Sequence, residues 1–167
     1  MKKLLAMLLV LVFMLSCSGC GGDEPKGSVV VEDSLILVEV GDTLSKPYEN
    51  FLWAETWSEH GWLSMDGTSL SRQFSEVQHE IPTIPYGDDF EIHYKEGVTF
   101  GSVSVYNDAF ESVYHNETQD VLKNLAEGEY YVIITVKKQG EYVEADDKYA
   151  YSGYECAYKM VIENKSV

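Results

Sequence analysis

Apolar and polar residues alternate through most of the chain from residue 34 onward, and that alternation predicts strands. In "DFEIHYK" (89–95), Phe90, Ile92 and Tyr94 alternate with Glu91, His93 and Lys95, a period of two that places one set on a buried face. "SLILVEV" (34–40) is strand-length and β-branched. "VTFGSVSVYND" (98–108) sets Val103 and Val105 against Ser102 and Ser104. "EYYVIITVKK" (129–138) turns Tyr130, Val132, Ile134 and Val136 inward, and "YECAYKMVIE" (154–163) does the same with Tyr154, Cys156, Tyr158, Met160 and Ile162. Only "ETQDVLKNLAEG" (117–128) has a helical character, one or two turns ended by Gly128. Regularly spaced strands with Gly-marked turns and little helix predict an all-β fold, an antiparallel β-sandwich of immunoglobulin-like architecture with at most one short helix.

The N-terminus follows a different pattern. Lys2 and Lys3 precede an unbroken apolar run over residues 4–15. Twelve residues suit the core of a secretion signal, whereas a spanning helix needs about 20. The run ends in "LSCSGCGG" (15–22), which holds two of the three cysteines. Cys-x-x-Cys is a redox or zinc spacing, but no second Cys or His pair completes a zinc site, and no βαβ unit surrounds a thioredoxin-like one. Ser16-Cys17, after the apolar Phe13-Met14-Leu15, resembles a bacterial lipobox. That resemblance implies a diacylglyceryl group on the Cys17 thiol and removal of the leader; Gly19-Cys20 is the alternative position. The expected organisation is a signal peptide at 1–16, a lipidated N-terminus and Gly/Ser-rich tether at 17–28, and a single β-sandwich domain at 29–167. The expected location is the extracytoplasmic face of a cell membrane, reached through the lipid anchor.

A second resemblance is local. Leu125 to Val136, with Leu125, Gly128 and Tyr130, resembles the penultimate strand of extracellular sandwich domains. It implies a tyrosine corner at Tyr130. Cys156 lacks a cysteine partner in the strand pattern and is expected to be a buried free thiol.

Charge narrows the partners. Without Lys2 and Lys3, 10 basic side chains face 28 acidic ones, a net charge of −18. Nucleic acid is excluded as a partner, because such binding rests on positive charge meeting phosphate. A steered partner is a cationic protein or peptide.

Candidate chemistry is sparse. No two of His60, His79, His93 and His115 stand at ligand spacing, so no metal site is expected. No nucleophile elbow, phosphate loop or dinucleotide fingerprint occurs, and neither a cofactor nor catalysis is expected. Asp88-Asp89 and the Glu144, Asp146, Asp147 run offer hard oxygens for calcium, although such clusters are commonly solvated loop faces.

Two aromatic groups remain. In "WAETWSEHGW" (53–62), Trp53 and Trp57 fall on one face by parity, which favours a core position over a sugar-stacking surface. In "QGEYVEADDKYAYSG" (139–153), Tyr142, Tyr149 and Tyr151 mix with Asp146 and Asp147. The stretch is either a long recognition loop or a hairpin extension. Those five residues are the candidate ligand-binding site. The expected function is a membrane-anchored binding or interaction module. The alternatives are a structural accessory subunit of a cell-envelope complex and a small carboxylate-dependent hydrolase.

Overall fold

The computed structural model describes residues 31, 33–87 and 89–163. The expected leader, the tether, both anchor candidates Cys17 and Cys20, and Asp88 lie outside the described residues.

The strands are β1 (Ile36–Val40), β2 (Thr43–Ser45), β3 (Tyr48–Ser58), β4 (Gly61–Asp66), β5 (Thr83–Pro85), β6 (Glu91–Tyr94), β7 (Val98–Asn107), β8 (Ser112–Glu117), β9 (Gly128–Val143) and β10 (Lys148–Ile162). A small sheet runs β2-β1-β6, and a large one runs β4-β3-β10-β9-β7-β8 with β5 beside β10. Apart from the parallel β5–β10 pair, neighbours are antiparallel. The fold is all-β and sandwich-like, as the alternation predicts.

The period-two sets meet between the sheets. Val132, Ile134, Val136, Cys156, Tyr158, Met160 and Ile162 of the large sheet pack on Ile36, Val38, Ile92 and Tyr94 of the small one. Burying each large apolar side chain contributes about 1.5–3 kcal/mol, and this cluster is the main stabilising element. Tyr130 packs at its margin, with its ring 3.4 Å from where a Cβ on Gly128 would stand. Gly128 has φ +149, so only glycine fits that corner comfortably. Polar ties join the layers as well. Tyr158 donates to the Ser45 carbonyl at 2.9 Å, and Glu49 accepts from Ser34 Oγ at 2.5 Å and from the Leu35 N–H at 2.6 Å.

The other face of the large sheet is also covered. Helix α1 (Leu70–Val77) lays Leu70, Phe74 and Val77 over Tyr131, Ile133 and Ala157. Phe110 stacks on Phe74 at 3.5 Å and on Tyr106 at 4.3 Å between centroids. The expected helix at 117–128 is instead a 3₁₀ segment, Gln119–Asn124. Its Leu122 and Leu125 plug the main core from a turn, which needs no longer helix.

Candidate functional site

The large sheet is longer than the small one, and the difference creates a concave surface. β9 and β10 remain paired through residues 139–153, closing on a 3₁₀ turn, Glu144–Asp146, with Asp147 in the left-handed region at φ 51. The hairpin extension, rather than a long loop, is therefore what forms. Tyr142 opposite Tyr149 supplies the aromatic cross-strand pair, at 5.0 Å between centroids, that favours continued pairing. β3 and β4 form a second hairpin alongside.

Between the two hairpins lies a groove of about 640 Å³, and no residue of the small sheet lines it. It opens on the same face of the large sheet as Tyr154. Phe51 stands opposite Tyr154 in register, rings edge-to-face at 5.8 Å. Ala54 pairs with Ser152 on one side and Met65 on the other, so the floor continues from β10 across β3 to β4. A bulge shapes this floor: Tyr154 pairs with Phe51 but Gly153 with Trp53, leaving Leu52 as the extra residue and flipping the faces beyond it. Glu141 and Glu144 of the β9–β10 hairpin bring acidic residues to the lining. Met65 is 51% and Leu63 52% exposed, and Phe51 and Trp57 are exposed too. Large apolar side chains beside carboxylates, on a surface that the protein's own core leaves uncovered, suit a ligand with both apolar and cationic parts.

The five expected site residues divide. Tyr142 and Tyr149 are exposed, and Tyr142 donates a hydrogen bond to Asp147 Oδ1. That bond holds the Tyr142 phenol above its ordinary value, since ionising it would set two negative charges in contact. Tyr151 is half-buried beneath Lys137, whose Nζ lies 3.7 Å from the ring centroid. Asp146 accepts from Trp62 Nε1 at 2.5 Å, and Lys148 lies over the same indole at 3.8 Å. Tyr142 and Tyr151 line the groove; Asp146, Asp147 and Tyr149 stand at the hairpin end outside it.

The tryptophan expectation needs correction. Trp53 and Trp57 do share a face, because β3 and β4 pair without slippage from Trp53 to Ser58. At the hairpin tip, however, no layer covers that face, and Trp57 is 41% exposed, 5.5 Å from its partner Trp62. Phe51, Leu63 and Met65 escaped the sequence reading. Leu63 and Met65 at i, i+2 could have marked a strand face, but their exposure depends on the sheets' unequal lengths.

Elsewhere, register assembles a group that spacing along the chain could not show. Glu39 pairs with Glu91 across β1 and β6, and His93 Nε2 lies 2.7 Å from Glu39 Oε2. Ligand atoms of the three lie within 4.8 Å of one another, a set that could offer three donors to a divalent cation. Asp89, from the other acidic cluster, instead accepts the Gly41 N–H at 2.7 Å and holds the β1–β2 turn. Cys156 is a free thiol and fully buried. Burial, then the carboxylates of Glu49 and Glu155, push it far above the usual thiol range, which disfavours the thiolate. No helix among the described residues is long and apolar enough to cross a membrane. No protein-family model, no curated protein and no solved structure matches this chain.

Proposed function

We propose that this chain is a lipid-anchored extracytoplasmic binding module, joined to the membrane through Cys17, whose groove holds an apolar and cationic segment of a protein or peptide. The observation that carries the reading is the apolar floor formed by Phe51, Ala54 and Met65, bordered by Glu141 and Glu144. A formal net charge of −16 for the whole sequence adds long-range attraction for a basic partner and repels acidic ones. The lipobox-like Ser16-Cys17 supports the anchor. The groove side chains include no paired nucleophile and base, so binding without catalysis is the simpler role.

Titration with an alternating leucine–lysine peptide tests the groove, read by calorimetry. The expected result is a saturable change whose affinity falls steeply as salt rises, with no response to a leucine–glutamate peptide. Equal response to both peptides, or to neither, rejects the reading. Mass spectrometry of the membrane fraction tests the anchor independently. An acylated N-terminal Cys17 is expected, Cys20 as first residue moves the anchor by three positions, and an unprocessed chain overturns it.

The exposed Leu63, Met65 and Phe51 favour one second reading, an accessory subunit of an envelope complex that buries this surface permanently. Stable co-purification with stoichiometric partner subunits distinguishes it from reversible peptide capture.

A further inference from the structure

The large sheet has two outer edges, and they differ. β8, at one end, slips register twice against β7 and carries Asn116 at φ 56, which breaks its flat edge. β4, at the other end, pairs with β3 over six consecutive residues without a shift. In the small sheet β2 spans three residues and β6 four; β5, beside β10 in the large sheet, is three residues ending in Pro85. Sheet edges are normally blunted by shortness, bulges, Pro or Lys. β4, "GWLSMD", has none of these. Its outward N–H and C=O groups have no protein partner among the described residues, and it borders the groove through Met65.

We infer that β4 is a docking edge: an extended segment of a basic partner protein adds to it as a further strand, with apolar and basic residues alternating. The inference rests on the groove reading above and adds the geometry of capture. Register sets the pattern. Leu63 pairs with Thr56 and Met65 with Ala54, which places both on the groove face, so the added strand's inward side chains must be apolar. Trp62, Ser64 and Asp66 lie on the opposite face, opposite Trp57, Glu55 and Trp53 respectively. On that face Asp66 shares a shallow pocket with Arg72, Lys148 lies 3.9 Å from Glu55, and Lys137 covers Tyr151, the partner of Glu55 on β10. Local charges there are mixed, and the basic character of the added strand follows from the formal net charge of −16 of the whole sequence. Main-chain hydrogen bonds supply affinity in such additions, and alternate side chains supply specificity. A second copy of this chain is the wrong occupant, since two strongly acidic molecules would bring Asp66 and Asp146 against like charges.

The test uses the folded domain and three probes: the alternating leucine–lysine peptide, and two forms of it N-methylated at alternate residues, in either register. Methylation removes edge hydrogen bonds while keeping charge and side chains. The expected result is roughly tenfold or greater weakening in the register that faces β4, with little change in the other. Hydrogen exchange should slow at β4 amides when the unmodified peptide binds. Leu63→Lys with Met65→Lys, both at exposed positions, should weaken binding at least as much. If both methylated peptides bind as well as the parent, the edge inference is overturned while the groove reading stands. If the parent itself does not bind, both are overturned. Concentration-dependent dimerisation by light scattering, abolished by the same double substitution, would assign the edge to a second copy and also overturn the proposal.

Discussion

The carboxylate of Glu155 on β10 accepts a 2.6 Å hydrogen bond from the backbone N–H of Leu70, the first residue of α1. Ser69, at the cap position, makes no side-chain cap bond, so a glutamate 85 residues further along the chain does that work. The same oxygen accepts from Asn50 Nδ2 at 2.9 Å, and Asn50 Oδ1 accepts from Gln73 Nε2 at 2.7 Å. β3, β10 and α1 are thus joined by one polar network beside the second apolar cluster. A helix start leaves its first N–H groups unsatisfied, and an anion there satisfies one while complementing the dipole.

Glu155→Ala should therefore destabilise the domain by about 1–2 kcal/mol, the range for lost caps and broken buried hydrogen bonds. Urea denaturation measures the loss, and hydrogen exchange should quicken first over residues 70–74. Unchanged stability would mean that water replaces the carboxylate without cost.

Gly153 sits where the Trp53 indole crosses β10, and a Cβ there would stand 2.1 Å from Nε1. Gly153→Ala must move the indole or the strand, and overpacking of this kind costs about 1–3 kcal/mol. Gly140→Ala is the control, because its nearest neighbours would lie at an ordinary 3.4 Å. Thermal unfolding of the two variants should separate them clearly; equal melting temperatures would place the Trp53 ring elsewhere.

Cys156, fully buried, should resist thiol reagents in the native protein and react promptly in denaturant. Cys156→Asp should unfold the domain or cost several kcal/mol, as it buries a charge between Glu49 and Glu155 with no counter-ion. Rapid native labelling would show β10 off register by one residue.

Tyr94 is raised from 10.0 to about 12, chiefly by burial, with the Gln119 hydrogen bond working the other way. Tyr158 is raised as well, again chiefly by burial. The folded state holds these protons more tightly than the unfolded one. Their contribution is complete below pH 10 and is lost as pH rises through about 12. Ultraviolet titration should show these phenols ionising late, and urea midpoints should fall over that window. A Tyr94→Phe variant should show a shallower decline.

The two core faces were legible because β9 and β10 each hold an unbroken period of two, and nothing non-local is needed to tell Val132 from Tyr131. α1 was not, although Leu70, Phe74 and Val77 at i, i+4, i+7 behind Ser69 do carry the signal. Eight residues give that pattern little contrast against a strand-rich background. The groove lay further out of reach. Its floor depends on the Leu52 bulge, on the pairing of Ala54 with Met65, and on where the small sheet stops. None of these is a property of one segment. For the same reason Glu39 and Glu91, far apart in the chain, meet only once β1 and β6 pair.

The arrangement around β10 also constrains how quickly the molecule can form. One edge of this strand runs first along β3 and then, in parallel, along β5, while the other edge lies along β9 from Lys148 to Ile162. Earlier strands can assemble as β2-β1-β6, β3-β4 and β8-β7-β9, but only β10 joins β3 to β9. That closure spans about a hundred residues, and folding slows as contacts become more distant in sequence. The rate-limiting event is then the capture of a late strand between two waiting edges. Substitutions in the β3–β10 contact should slow folding, whereas those in the β7–β8 hairpin should chiefly speed unfolding.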